Sequence, residues 1–425
     1  MKRTCLSLLL LATIIVGSGA STAMRARNQP VLSFMFWGDA AEYRENVAAT
    51  KEAARSLGVQ VKNIQSGNYD TDLPTRIAAR NAPDIFYVAD WRVAGFASKG
   101  VLVNLDPYLA KDPTFKRSDY TPQSLEGLTY KGHLYGLPRG FSASVLYYNK
   151  DIFDQMHVAY PSAKWTMTDL LDAAKKLTTK DHWGLMLHSG PGASDKPTFN
   201  WFLWQYGTDW LNPAGTQCTL TDPKAQSAFQ YVLDLTYKYH VSPTATEISA
   251  SGGWSGSVFT KGKAAMVMGP QRWFYLYAPL LGPDAPKFHW SVQLPPLAVD
   301  GKHRYSYPGY AGMGIWSGSK YPELAFKVGS AISKSVGQRI IAGVGSDMPA
   351  FLPALHSSAI NIAPDRQADR ISVDALQYTR IPHYPENMAQ IQSAIDHDLA
   401  NLWDNKDTVA NATKTLCGDI NPLLK

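Results

Sequence analysis

Two stretches of this 425-residue chain place a tryptophan and an aspartate where an apolar run stops. Val31-Leu32-Ser33-Phe34-Met35-Phe36 leads into Trp37-Gly38-Asp39, and Ile85-Phe86-Tyr87-Val88 leads into Ala89-Asp90-Trp91-Arg92. A flat ring beside a carboxylate suits a polyhydroxylated ligand such as a sugar: the ring covers the apolar C–H face and the carboxylate accepts hydroxyl hydrogens. The same aspartates could cap helices, Asp39 for residues 40–57 and Asp90 for 93–99, and the two roles can coexist. Trp91 follows an aspartate at a tip and precedes an arginine, which is not how a core residue is usually framed.

These tips require a scaffold. After the strand 31–36 the pattern predicts a helix over 40–57 stopped by Gly58, a strand over 59–64, a short helix over 72–80, the strand 85–88 and a helix over 93–99 stopped by Gly100. Short apolar runs alternating with helical periodicity read as buried strands of an α/β sheet, and ligands of such sheets gather beyond the carboxyl ends of the strands. From 128 to 148 the signals turn to strands, with a hairpin at 132–138 and a longer strand at 144–148. Helices are expected over 168–177, 198–206 and 224–239, a strand over 184–187, and a further segment runs from Val258 to Met268. At this length one core is not enough, so two domains or lobes are expected.

Composition narrows the class. Charged residues are 18%, aromatics 12% and hydrophobics 45%, a soluble globular profile, and 12 Trp with 22 Tyr exceed what core filling asks for. The net charge is +6 with scattered lysines and arginines, which argues against a nucleic-acid partner. Met1-Lys2-Arg3, an apolar Leu6–Val16 and small residues up to Ala23 form an export signal, cleaved after Ala23 or Ala20. That apolar core falls short of the ~20 residues of a membrane span. Cys5 lies at the start of the signal and is badly placed to become a lipid-bearing N-terminal cysteine, so a free periplasmic protein is expected. Cys218 and Cys417 remain, and an isolated pair in an oxidising compartment reads as a disulfide. Without a nearby histidine pair they make no metal site, and no cofactor is expected.

Four segments jointly resemble the extracellular solute-binding proteins of ATP-driven importers, in the sugar-binding family that includes maltose-binding protein. They are Ala82-Pro83-Asp84-Ile85 through Gly95–Gly100 with Leu105, Tyr130–Pro138 running to Leu146-Tyr147-Tyr148-Asn149-Lys150-Asp151, Phe259–Met266 continuing to Gly269-Pro270 and Trp273, and Pro308–Ile315 with a helix from Pro322. They cover nearly the whole mature chain in the family's order. The resemblance implies an α/β, two-lobed periplasmic-binding-protein fold of type II kind, its lobes joined by a three-crossing hinge around an interlobe ligand cleft. The crossings would lie near 141–145, near 307–312 and after about Ser358. One lobe would be 24–141 with 312–360, the other 142–311 with 361–425, so both cysteines share a lobe. Trp37, Asp39, Asp90, Trp91 and Arg92 would form one wall of the cleft.

The opposite wall would come from Trp201, Trp204, Trp254, Gln271, Arg272 and Trp273. Trp201 and Trp204 are three apart and share a helix face, which also fits a buried stripe. Trp254 sits between glycines on a polar loop, where binding residues concentrate. Gly309, Tyr310 and Gly312 lie at the inferred crossing, where glycine lets backbone approach a ligand, and Arg139, Arg380 and Tyr384 are further candidates. The family's maltose binder has a glutamate where this chain has Ser142, so the sugar should differ.

The expected function is capture of a di- or oligosaccharide and its delivery to membrane permease subunits by a monomeric receptor. The principal alternative is a phosphorylated polyol such as a glycerophosphodiester, because Arg92, Arg139 and Arg272 could grip phosphate. Adjacent Tyr147 and Tyr148 suggest ferric ion, but alternation along a strand sends them to opposite faces, one to the core and one to the surface. A hydrolase would need two close carboxylates, for which Asp39 and Asp90 are the best pair. Gly253-Trp254-Ser255-Gly256 is followed by serine rather than completing Gly-x-Ser-x-Gly, and His-Glu-x-x-His and phosphate-loop motifs are missing. The protein is therefore expected not to be an enzyme.

Overall fold

The computed structural model describes residues 30–38, 40–187, 199–251, 255–270, 286–344, 347–360 and 366–424. The first strands, β1 (Val31–Phe36), β2 (Gln60–Gln65) and β3 (Ile85–Val88), pair in parallel in the order β2-β1-β3. All four residues of β3 are buried, as a continuous apolar run in a parallel sheet should be. Helix α1 (Ala40–Leu57) connects β1 to β2, α2 (Tyr69–Ala78) connects β2 to β3, and α3 (Asp90–Ser98) follows β3. The sheet then changes character, because two antiparallel strands enter it from distant parts of the chain.

Of these, β6 (Gly136–Asn149) holds the molecule together; it follows the hairpin β4 (Thr129–Tyr130) and β5 (His133–Leu134), and all 14 of its residues are buried. Its first part, Gly136 to Ala143, pairs with β10 (Pro308–Ile315), which in turn pairs with β3. From Ser144 onward it pairs with β8 (Ala264–Pro270) and, from Leu146, with β9 (Trp290–Gln293), while β7 (Trp183–Leu187) lies parallel to β8. Three serines stitch the handover through backbone carbonyls: Ser142 Oγ donates to Gly309 at 2.8 Å, Ser144 Oγ to Tyr307 at 3.0 Å and Ser306 Oγ to Ser144 at 2.8 Å. Each bond satisfies a hydroxyl that would otherwise be buried unpaired.

Two hydrophobic clusters flank this handover. One includes Leu32, Phe34, Ile85, Phe86, Leu137 and Met313, the other Leu146, Leu170, Leu185, Trp210, Phe229 and Leu416. In the second, Cys218 and Cys417 form a disulfide across a sequence separation of 199. The backbone N–H of Cys218 also donates to Asn421 Oδ1 at 2.8 Å, which ties the same loop to the C-terminal end of the chain.

Several element boundaries differ from expectation. The helix anticipated at 72–80 runs Tyr69–Ala78, and the one at 93–99 begins at Asp90, so Asp90 is its first residue and Ala89 stands at the cap position. The helix expected to reach 239 ends at Leu233, where a π-helical turn, Asp234–Lys238, takes over. The run 258–268 divides into a helix, Ser255–Thr260, and strand β8. The stretch read as an export signal lies outside the described residues, and no described helix is long and apolar enough to cross a membrane.

Candidate functional site

Because β1, β2 and β3 are parallel, the segments after them emerge at one edge of the sheet. They deliver Trp37, then Tyr69 and Asp70, then Asp90, Trp91 and Arg92. Trp37 is half-buried and packs edge-to-face against Tyr69, with centroids 5.0 Å apart at 84°, and against Tyr87, at 4.9 Å and 74°. Gly38 has φ of 125°, and a Cβ there would stand 2.0 Å from the Glu42 carboxylate, so the turn into α1 requires glycine.

The β3 tip differs from the sequence picture. Trp91 is only 8% exposed, and it packs with Ala89 among the residues of the second cluster, while Trp37 touches both clusters. The tips therefore lie where the two clusters meet. Arg92 is turned away from solvent: Nη2 donates to Asp70 Oδ1 at 2.6 Å and the guanidinium lies 4.4 Å from the Trp91 ring centroid. Burial pulls its pKa down while the Asp70 carboxylate opposes that pull. Tyr69 and Asp70 were not among the sequence candidates. The signal was present, since Asn68-Tyr69-Asp70 repeats the aromatic-plus-aspartate pattern after a third strand.

On the other side, Trp201 Nε1 donates to the Tyr305 carbonyl at 2.8 Å, and Trp204 is fully buried with Nε1 donating to Asp209 Oδ2 at 3.1 Å. The buried-stripe reading of this pair describes both side chains. Trp204 stacks on Tyr307, with centroids 6.1 Å apart at 22°, and Tyr307 shares a 3.0 Å hydroxyl contact with Tyr384. Arg380 pairs with Asp209 at 2.8 Å and sits 5.3 Å from the Trp204 centroid. Trp204, Tyr307, Tyr384, Arg380 and Asp209 thus form one connected group, of which Tyr307 and Asp209 were not anticipated.

A cavity of about 630 Å³ opens between Asp90, Val93 and Ala94 of α3 and the Tyr130-Lys131 hairpin on one side, and residues 214–216 and 381–387 on the other. Of the anticipated residues it is lined by Asp90 and Tyr384. Glu386 bridges it, accepting from the Tyr130 hydroxyl and pairing with Lys131 Nζ at 3.2 Å. Those two donors hold the Glu386 carboxyl below its usual range.

Three expectations need correction. Arg139 does not face a ligand: it is fully buried, paired with Glu45 and, at 2.5 Å, with Asp347, and lies 4.8 Å from the Tyr87 centroid. Gly312 is small for packing, because a Cβ there would stand 2.4 Å from Leu128 Cδ2, whereas Gly309 lies at the handover and accepts from Ser142. Tyr147 and Tyr148 do point to opposite faces, but both are buried, Tyr147 against Phe259 and Trp290 and Tyr148 against Phe153 and Tyr160. Asp39, Trp254, Gln271, Arg272 and Trp273 fall outside the described residues, as does the Tyr310 side chain, although the Tyr310 backbone pairs with Phe141. Among the described residues no group of three His, Cys, Asp or Glu could hold a metal ion.

Comparisons with known proteins meet this geometry. The family model described as bacterial extracellular solute-binding protein matches residues 39–330. The chain is 27% identical over 263 residues to a putative binding protein of Brucella abortus, covering 60% of this chain and 59% of that protein. It is 26% identical over 261 residues to the maltotriose-binding protein of Pyrococcus abyssi, covering 60% of this chain and 51% of that one. These matches thus span between half and three fifths of the relatives' length. Over 166 residues, 36% of this chain and 37% of the relative, it is 30% identical to the sn-glycerol-3-phosphate-binding periplasmic protein of Escherichia coli. An ABC substrate-binding protein of Listeria monocytogenes, solved with cycloalternan, superposes with a TM-score of 0.83 at 26% identity, covering 93% of this chain and 99% of that one.

Proposed function

The chain belongs to the bacterial extracellular solute-binding protein family, and from that premise we propose that it is the receptor of an ATP-driven importer, trapping a di- or oligosaccharide between two lobes. The observation that carries the sugar reading is the half-buried ring of Trp37, delivered to the same sheet edge as the accessible carboxylates of Asp70 and Asp90, with the buried Tyr69 and Trp91 rings packed behind that edge where the two clusters meet. Rings for C–H faces and carboxylates for hydroxyls are what a neutral polyol needs. The named relatives, which bind maltotriose and cycloalternan, support the same class.

The lobes are 24–141 with 312–360 and 142–311 with 361–425, hinged where β6 exchanges β10 for β8 and β9. Ligand favours closure to the extent that it binds the closed form better, and the closed form presents both lobes to the permease subunits. The receptor is exported with its signal removed, carries no lipid, works as a monomer in the periplasm and catalyses no reaction.

A thermal-shift panel of maltotriose, cycloalternan, mannobiose and glycerophosphocholine tests this. A sugar at a hundredfold excess over its Kd should stabilise the fold by about 2.7 kcal/mol. A shift with glycerophosphocholine and with no sugar would move the assignment to the phosphorylated polyol. Release of smaller sugars on incubation with the pure protein would overturn the binding-only reading.

A further inference from the structure

Trp37 is the least buried of the strand-end tryptophans, yet its surroundings leave it little freedom. Tyr69 and Tyr87 meet it edge-to-face from two directions. Tyr87 is itself fully buried, between Phe34 and Phe36 at centroid distances of 5.5 and 5.7 Å. Its hydroxyl donates to Asn46 Oδ1 at 2.7 Å, and its carbonyl accepts from the Tyr69 hydroxyl at 2.7 Å. Asn46 is oriented by its own Nδ2, which donates to the Glu42 carbonyl at 2.9 Å, so Oδ1 is left to receive both Tyr87 and Arg139 Nε, the latter at 3.3 Å. Arg139 lies against the Tyr87 ring and is anchored by Glu45 and Asp347. A buried ion cluster thus fixes a phenol, and the phenol fixes an indole at the sheet edge.

We propose that Tyr87, braced by Asn46 and Arg139, is a positioning residue for Trp37, holding the indole ready to stack on a sugar ring. The inference rests on the sugar-binding reading above. A ring ordered before binding does not have to be immobilised by its ligand, which is how preorganisation raises affinity. Arg139, expected from sequence to touch ligand, contributes through two intervening rings instead.

The test is a double-mutant cycle on the Kd for maltotriose and cycloalternan, measured by calorimetry on full-length mature protein, with Tm recorded for each variant. Tyr87→Leu should weaken binding threefold to tenfold, and Tyr87→Phe, which keeps the ring against Trp37 and Arg139 but loses the Asn46 bond, should weaken it by less than Tyr87→Leu does. In a Trp37→Ala background Tyr87→Leu should have no further effect, because the residue acts through the indole. A purely structural role would lower Tm in both backgrounds and leave the two Kd effects additive, and additivity overturns the proposal. If Tyr87→Leu does not fold, Tyr69→Leu removes the other bracing ring and is judged by the same cycle. Wild-type protein that binds no sugar overturns the sugar reading and this inference with it; sugar binding indifferent to Trp37→Ala overturns the inference alone.

Discussion

Gly312 tests whether a glycine beside the inferred hinge serves the ligand or the core. A Cβ at 312 would lie 2.4 and 2.8 Å from the two methyl groups of Leu128, and one at Gly136 would lie 2.9 Å from the same side chain. Leu128 is 1% exposed and occupies a slot that strands β6 and β10 leave by having glycine at both places, so it cannot swing aside. Gly312→Ala should cost about 1–3 kcal/mol, as overpacked cores do. Leu128→Ala should cost about 2–5 kcal/mol, for lost burial and the cavity left behind. In the double variant the new methyl enters space that Leu128 has vacated. Its penalty should vanish, giving a coupling of about 1–3 kcal/mol between the two sites. Urea unfolding followed by far-UV circular dichroism gives the four free energies, and calorimetry gives the sugar Kd of each folded variant. Strictly additive penalties would refute the packing argument. So would a Gly312→Ala protein of full stability that binds sugar poorly, because the glycine would then be serving the ligand.

The Cys218–Cys417 bond closes a loop of 199 residues, for which chain-entropy reasoning gives about 5 kcal/mol. With an unfolding entropy of about 2.1 cal/mol/K per residue, replacing both cysteines by alanine should lower Tm by roughly 6 °C, and calorimetric melting within 1 °C of wild type would contradict it. Arg139→Leu leaves Glu45 and Asp347 without their cation inside the protein, a loss of about 3–5 kcal/mol by analogy with other severed buried pairs; a change below 1 kcal/mol in urea unfolding would show the cluster to be dispensable. Burial alone would raise the pKa of Asp112, but hydrogen bonds from Lys334, Thr114 and Ser330 outweigh it and hold the carboxyl at about 2. The stability this group contributes is therefore complete above its unfolded value near 3.8 and disappears as pH falls through about 2. Lys334→Met should move that loss to higher pH, and urea midpoints between pH 2 and 5 that keep the wild-type profile would exclude the ion pair as its cause.

The α/β order of the first hundred residues was legible because local signals and burial agree there. Strand 31–36 and helix 40–57 occur as expected, and β3 is a short apolar run buried on both faces. Three features depended on distant partners and so were hidden. The depth of Trp91 comes from its neighbours in the second cluster, the burial of Arg139 from Glu45 and from Asp347 more than 200 residues away, and the need for glycine at 312 from Leu128. A sequence shows that a residue can bind; it does not show what reaches that residue first. The Tyr69-Asp70 tip was a different kind of omission, since its pattern was local and resembled the two tips already noticed.

The arginines bear on which ligand the site suits. Arg92 is paired with Asp70, Arg380 with Asp209, and Arg139 with two carboxylates in the core. The described arginines among the site candidates, Arg92, Arg139 and Arg380, each already have an anion, and a phosphodiester would have to compete with it. A neutral sugar faces no such competition. An ion-paired guanidinium still has N–H groups to offer a hydroxyl, and the partner carboxylate remains an acceptor. Pairing therefore makes Arg92 with Asp70, and Arg380 with Asp209, near-neutral polar pairs, and it withdraws Arg139 into the core, which favours hydroxyls over charge.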